Sequence, residues 1–522
     1  MHFKLEIAAD GINVEFTEYE RETCLFLQQL TPSRKVLVDT LSGSTIIEIG
    51  SDYIEVPFDC DRQIFYRRRL GEAITISSDP EKLFQDEIAS FNQDYFIQYL
   101  FCGSLPSTQS PFVGIEFLPP GCRIFYRNKD VEFLHPSEVK TNVLQAVESS
   151  LKAKTANRKS AVIEYSGGLE SNILLHAINR IDFDGRVNLV HITAHESGEV
   201  DDIAHVKKMA RKFDCQLDIV NQLDCPPFQI TSCTPNKPFF PNSGLVNSGF
   251  VNFMSSKALR QDSVVFNGSG GDSVFCACPQ RWRPVELMRL GRPIDAARSL
   301  LDLSHYFRTP IVSTAMKSLA EYQLVTSKLV NPRKFFSSVN RAEEFAQASL
   351  EQKSFQFLPQ QFPKGMSLSI KDRYINALII KYDMQSSPLA SIPGLYQFPF
   401  LTSESILSGL SIPASKLLKG KFNRYYLRQL ASEKYNEPVF MQTRKGGVTG
   451  LTQKIIRDNK KSLEEFMIDS CFSDLKIIDP DRLRRTLNSV AAGATYCPRS
   501  IINLFSACLF IHQWRGRVRA GF

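Results

Sequence analysis

Ala161-Val162-Ile163-Glu164-Tyr165-Ser166-Gly167-Gly168-Leu169-Glu170-Ser171 is the stretch on which the reading of this chain turns. Its first five residues make a buried-type strand, and a Ser-Gly-Gly turn then opens a helix that runs through Leu174, Leu175 and Ile178. A change from strand to helix period across two glycines marks a strand–helix unit. Further along, the alternation repeats as strand Val187 to Thr193, helix Asp201 to Phe213 and strand Gln216 to Val220. A later strand, Ser263 to Phe266, ends in a second glycine-rich turn, Asn267-Gly268-Ser269-Gly270-Gly271-Asp272. The pattern predicts an α/β fold, a parallel sheet with covering helices, and such sheets bind ligands at the carboxyl ends of their strands.

The flanking regions read differently. From Lys4 to about Glu132 the chain carries short β-type runs such as Lys35 to Val38, Thr45 to Ile49 and Ala73 to Ile76. A mainly β region is expected there, with a helix over Phe91 to Phe101 and a turn at Phe117 to Gly121 leading into a strand at Cys122 to Tyr126. Residues 136–158 read as a helix, and from about residue 283 the chain is mostly helical, interrupted by the loop Leu358 to Pro363. The expected division is a β-rich domain at 1–140 and a second domain at 141–522, with an α/β core at 158–282 and a helical part at 283–522.

With 522 residues, 43% of them apolar and 22% charged, the chain can bury the cores of two or three domains. Apolar stretches such as Ile501 to Ile511 are broken by Asn503 and Ser506 and fall short of a bilayer span. The start, Met1-His2-Phe3-Lys4-Leu5-Glu6, lacks the basic and apolar regions of a secretory signal, so a cytoplasmic location with no membrane partner is expected. The 12 cysteines are spread thinly and are expected to stay thiols. Cys276-Ala-Cys278, with Cys215, Cys225 and Cys233 upstream, has no CxxC pair or histidine at zinc spacing, which favours buried small residues over a metal site. A net charge of +7 is too small to imply nucleic acid and suits an acidic ligand such as ATP.

Ser166 to Ser171 lies where free backbone N–H groups and the positive end of a helix favour a phosphate. Gly167 and Gly168 let the backbone come close, and Ser166 and Ser171 add hydroxyl donors. On the hexapeptide alone, an ordinary tight strand-to-helix turn reads the same way. It is not a Walker loop, since no Gly-Lys-Ser/Thr follows. The second turn adds weight, because Asp272 and Glu170 would face each other across one site and hold Mg²⁺ on a polyphosphate. Thr193, ending a core strand, either contacts adenine through its backbone or only ends the strand. The basic run Lys416, Lys419, Lys421, Arg424 and Arg428 reads as a solvated helix face, or as a dock for an acidic partner or peptide.

These residues resemble the asparagine synthetase-like ATP pyrophosphatases. The family's phosphate loop, Ser-Gly-Gly-x-Asp-Ser, is matched by Ser166 to Ser171 with Glu170 in the Asp position. Its second loop, roughly Gly-x-Gly-Ala-Asp-Glu-Leu-Phe, is matched by Gly268 to Phe275, with Gly270 and Asp272 retained and Gly271 in the Ala position. Pro399-Phe400-Leu401, Tyr426-Leu427-Arg428 and Arg444-Lys445-Gly446-Gly447 resemble its C-terminal signatures, and Gly114 to Gly121 fits its glutaminase-like half. The resemblance implies an adenine nucleotide α-hydrolase-like core, ATP and Mg²⁺ as cofactors, metal on Glu170 and Asp272, and Lys445 stabilising charge on the α-phosphate and on the intermediate of aminolysis. Asp272 and Lys445 are its expected catalytic residues.

Departures from the family narrow the choice. A glutamine-dependent synthetase needs a cysteine directly after Met1, where this chain has His2, so the glutaminase-like half is expected to be degenerate. Leu395 stands where β-lactam synthetases and asparagine synthetases carry a Glu, and Ser273 stands where a Glu usually follows the second-loop Asp. Both look more like the lasso-peptide cyclases, which close a macrolactam between a peptide's N-terminal amine and an Asp or Glu side chain. That resemblance implies a ribosomal precursor peptide as substrate, with a leader peptidase and a leader-recognition protein as partners. A β-lactam-type or ammonia-dependent synthetase and a non-catalytic nucleotide-binding descendant are the alternatives.

Overall fold

The computed structural model describes residues 3–8, 11–16, 25–29, 34–38, 45–49, 53–60, 63–68, 74–84, 89–125, 131–133, 141–193, 203–230, 238–330, 366–388, 394–442, 449–474, 476–494, 499–515 and 518–519. The N-terminal region forms two antiparallel sheets, as its short alternating runs require. The first orders β10 (Glu116–Phe117), β7 (Phe65–Arg68), β8 (Ile74–Ser77), β1 (Phe3–Ala8) and β2 (Gly11–Phe16). The second orders β12 (Val131–Phe133), β11 (Cys122–Phe125), β6 (Tyr53–Val56), β5 (Thr45–Ile49), β4 (Arg34–Val38) and β3 (Leu25–Gln29). Between them β9 (Ala89–Ser90) leads to helix α1 (Gln93–Cys102), capped by the Asn92 side chain accepting from the Tyr95 N–H.

Helix α2 (Val143–Thr155) follows, shorter than the expected 136–158 because Asn142 and Gln145 close a capping box at its start. The expected α/β alternation is then found. β13 (Ser160–Glu164), α3 (Leu169–Ile178), β14 (Arg186–Thr193), α4 (Ile203–Lys212), β15 (Gln216–Asn221), α5 (Ser248–Arg260) and β16 (Ser263–Phe266) succeed one another. The strands form one parallel sheet in the order β15-β14-β13-β16-β17. Its fifth strand, β17 (Tyr396–Gln397), comes from the region read as helical.

Both sheet faces are covered, so the strands are apolar without alternation. Ala161 and Ile163 pack with Val147 and Leu151 of α2 and Ile173 and Leu174 of α3. Val162 and Val265 point the other way, onto Val251, Met254 and Ala258 of α5. The strand order reverses direction between β13 and β16, and Ile163 pairs with Phe266 there, so the turns after these two strands emerge side by side.

Beyond β16 lie α6 (Gly271–Val274), α7 (Arg283–Arg289), α8 (Pro293–Phe307), α9 (Ile311–Val330), α10 (Leu368–Gln385) and α11 (Ser403–Ser411). A two-strand hairpin, β18 (Leu418–Lys419) and β19 (Phe422–Asn423), feeds α12 (Tyr425–Tyr435). The remaining helices are α13 (Thr449–Asp458), α14 (Lys460–Ile468), α15 (Cys471–Asp474), α16 (Pro480–Ala491) and α17 (Arg499–Trp514), and β20 (Val518–Arg519) returns to pair with β9. A third core joins the two ends of the chain: Phe96 and Leu100 of α1 pack with Phe505, Leu509 and Phe510 of α17. No helix among the described residues is long and apolar enough to cross a membrane. The loop expected at Leu358 to Pro363 lies outside the described residues.

Candidate active site

The turn after β13 leaves backbone donors open at the start of α3. Gly167 adopts φ 75°, which swings the chain from strand into helix, and Gly168 caps α3 without a side-chain hydrogen bond. The first N–H groups of α3 are therefore left for a ligand. Asn172 holds the turn from behind: its Nδ2 donates to the carbonyls of Gly167 and Gly168 at 2.8 and 2.9 Å, and its Oδ1 accepts from the buried Tyr165 hydroxyl at 2.5 Å. Ser166 is exposed and its Oγ accepts from the Gly168 N–H at 3.3 Å, while the Ser171 hydroxyl donates to the Gly168 carbonyl at 3.2 Å.

The second turn presses against the first because its glycines leave no side chain between them. A Cβ on Gly268 would lie 2.7 Å from Glu170 Cβ, and one on Gly271 would lie 2.5 Å from Glu170 Cγ. Gly270, at φ 98°, has Leu401 at its back, where a Cβ would come within 2.3 Å of a Leu401 methyl. Leu401 belongs to the Pro399–Leu401 turn, and its carbonyl accepts from the buried Lys381 ammonium at 2.9 Å. Beneath both turns, the Asn267 amide donates to the Glu164 carboxylate and ties the end of β16 to the end of β13. Burial pushes the Glu164 carboxyl up to about 7, against the lowering effect of that hydrogen bond.

This packing brings Glu170 and Asp272 together, as their spacing predicted. A cation sits between them: Arg424 Nη1 donates to Glu170 Oε1 and to Asp272 Oδ1. Burial raises the Glu170 carboxyl, Arg424 pulls it back down, and Asp272 raises it again. The carboxylates are therefore arranged around one positive charge. Their hard oxygens suit Mg²⁺, which takes one or two carboxylates and fills its remaining positions with phosphate oxygens and water. The two carboxylates leave the other coordination positions to the oxygens of a bound polyphosphate and to water.

Arg424 and Arg428 correct the reading of the basic run as one solvated helix face. Residues 416–423 form a short turn and the β18–β19 hairpin rather than a helix, and both arginines are buried, 6% and 5% exposed. Arg424 takes φ 52° at the start of α12, which turns it toward the carboxylates. Arg428, one turn on, donates to the carbonyls of Phe440 and Gln442 at 2.8 and 2.6 Å, and burial lowers its guanidinium to about 10. It thereby fixes the chain just before residues 443–448. Lys416, Lys419 and Lys421 are exposed.

Other sequence-predicted residues take less central places. Thr193 ends β14, with its carbonyl accepting from the Gln222 N–H at 3.0 Å. Leu395 is buried, 4% exposed, beside Val265 and Tyr396. Ser273 follows Asp272 in α6, its N–H donating to the Gly270 carbonyl at 3.1 Å. Lys445 and His2 lie outside the described residues.

Two glycine turns lie at the switch point of a parallel sheet, one opening a helix and both meeting at paired carboxylates, an arrangement whose shape and donors suit a nucleotide polyphosphate. No curated protein matches the chain. The asparagine synthase family matches residues 142–515, which is more than half of the sequence and spans both turns, Arg424 and Arg428. Enzymes of that family use ATP and Mg²⁺ to form amide bonds, and the chain belongs to it as an ATP-dependent amide-bond-forming ligase.

Proposed function

We propose that the chain closes a macrolactam ring in a ribosomal peptide, in the manner of the lasso-peptide cyclases. The Asp or Glu side-chain carboxylate of the core peptide attacks the α-phosphorus of ATP, and pyrophosphate leaves. The peptide's N-terminal amine then attacks the acyl carbon of the AMP ester, AMP departs, and the amine gives up a proton. The net change in the peptide is the loss of one water.

The chain's own residues supply positioning and charge. The α3 N–H groups and the hydroxyls of Ser166 and Ser171 hold the departing pyrophosphate. Glu170 and Asp272 would hold Mg²⁺, which when bound offsets the negative charge of the polyphosphate. Arg428 holds the chain at Phe440 and Gln442, and Lys445 is the cation assigned by the family resemblance to the α-phosphate and the aminolysis intermediate. Asn172 keeps the Gly167–Gly168 turn rigid, so the donors are aimed before ATP arrives.

The observation that carries the choice among family members is the buried Leu395. An apolar side chain packed into the sheet core occupies the position where β-lactam synthetases and asparagine synthetases carry a Glu. Ser273 and His2 agree with it. A precursor peptide, a leader peptidase and a leader-recognition protein are the partners this reading requires.

The test is mass spectrometry of the chain incubated with Mg·ATP and a leader-free peptide from a neighbouring gene, beside Asp272→Ala and Lys445→Ala. Formation of AMP together with loss of one water from the peptide, abolished in both variants, supports the proposal. AMP released only with aspartate or another small carboxylate would move the chain to the β-lactam-type or ammonia-dependent reading. No AMP with any of them would leave a non-catalytic nucleotide binder.

A further inference from the structure

A cavity of about 300 Å³ opens between α7, α8 and the residues that precede the β18–β19 hairpin. No residue of either glycine turn lines it, and Cys276, four residues after Asp272, comes nearest to them in sequence. Its walls are apolar where Leu287, Leu303 and Leu417 face it, and two arginines, Arg283 and Arg298, lie on its lining.

The lining carries two arginines, Arg283 and Arg298, and two aspartates, Asp295 and Asp302. Asp295 is taken by Arg292 at 2.7 Å, and Asp302 accepts from the Gly420 N–H at 2.9 Å. Gln280 is engaged with Ser369 and Asp372. Glu286, one turn along from Arg283, accepts from the Ser369 N–H with its Oε1, and its charge acts on Arg283 without a hydrogen bond between them. Among the described residues neither guanidinium, of Arg283 or of Arg298, makes a hydrogen bond or an ion pair, and the buried Nε of Arg283 is unsatisfied. Burial lowers the Arg283 guanidinium to about 10, which leaves it charged at neutral pH. A buried N–H donor left without an acceptor costs about 1–3 kcal/mol, which a ligand oxygen placed on the Arg283 Nε would recover.

We propose that this cavity is a second ligand site, separate from the nucleotide site, for a small amphipathic anion whose carboxylate or phosphate head lies on Arg283 and Arg298. The short apolar body of the ligand lies against Leu287, Leu303 and Leu417. Arg283, half-buried, supplies the directional contact through its Nε, and Arg298, exposed at the cavity's edge, draws the anion in. A carboxylic acid and a phosphate ester share the head-group chemistry that the arginines recognise.

Isothermal titration of the full chain with hexanoate, with phenyl phosphate and with the uncharged hexanamide separates the sources. Saturable binding of hexanoate but not hexanamide supports a carboxylate ligand, and saturable binding of phenyl phosphate supports a phosphate ligand. In either case Arg283→Met should weaken binding by about tenfold or more, the worth of one charge-assisted buried hydrogen bond. Arg298→Gln, exposed and without consequence for the core, should weaken the same binding to a smaller degree. No saturable heat from either anion overturns the proposal, as does binding that both variants leave unchanged.

Discussion

Arg424→Met removes the positive charge between Glu170 and Asp272 while keeping much of the side-chain volume, and its cost follows from the site. Removing one partner from a fully buried ion pair costs about 3–5 kcal/mol. Glu170's side chain is 12% exposed but Asp272's is 49% exposed. A solvent-facing contact contributes at most about 1 kcal/mol, so a loss of about 2–3 kcal/mol is expected near pH 8. The loss depends on pH with a definite sign. Burial and Asp272 raise the Glu170 carboxyl while Arg424 lowers it, so the variant raises it further. A carboxyl raised above its unfolded value adds stability in acid that disappears as pH rises through the folded value. The deficit of Arg424→Met should therefore be smallest near about pH 5 and grow toward about pH 8. Urea unfolding of the variant and the parent across that range measures it, and millimolar Mg²⁺ should recover part of the loss at the alkaline end. A deficit that is the same at both ends and indifferent to Mg²⁺ would refute the idea that Glu170 and Asp272 form a centre built around one cation.

Three further outcomes follow from the same geometry. Gly271→Ala places a methyl 2.5 Å from Glu170 Cγ; moving that carboxylate by about 1 Å should cost on the order of 100-fold in kcat/KM for ATP-dependent turnover, with far-UV circular dichroism unchanged. Asn172→Ala frees the carbonyls of Gly167 and Gly168; it should lower stability by about 1–3 kcal/mol and weaken Mg·ATP binding measured by titration, whereas unchanged affinity would mean the turn is rigid without it. Glu164 is pushed from 4.5 to about 7; stability should fall as pH rises through that window, by about 1–3 kcal/mol in urea unfolding, and Glu164→Gln should flatten the dependence.

The parallel core was legible because buried strands leave a continuous apolar signal. Ala161 to Tyr165 and Ser263 to Phe266 are short apolar runs followed by glycine-rich turns, and the glycines of the first marked it as a place where the backbone comes close to a ligand. The structure gives the reason in distances: Gly268 and Gly271 stand where any side chain would strike Glu170. β17 was illegible because two residues, Tyr396 and Gln397, are too few to show a period, and only the finished sheet edge defines them as a strand. The Pro399–Leu401 turn that follows was visible as a motif, though its task of backing Gly270 was not.

Arg424 shows where a linear reading runs out. Its neighbours Lys416, Lys419 and Lys421 make it look like one more solvated charge, and its left-handed φ of 52° has no glycine or asparagine to signal it. The available signal was the pair Arg424 and Arg428, one helical turn apart and so on one face of α12, opposite in fate to the exposed lysines before them. Glu164 and Asn267 were hidden for a different reason. Each is an ordinary residue at a strand end, and only the β13–β16 register makes them partners.

The most direct test of the account follows an oxygen atom. A substrate peptide carrying ¹⁸O in its Asp or Glu side-chain carboxylate is turned over with Mg·ATP, and the products are weighed by mass spectrometry. Attack of that carboxylate on the α-phosphorus puts one ¹⁸O into AMP, and that is the expected result. Label in inorganic phosphate with ADP formed, or unlabelled AMP alongside a cyclised peptide, would contradict it.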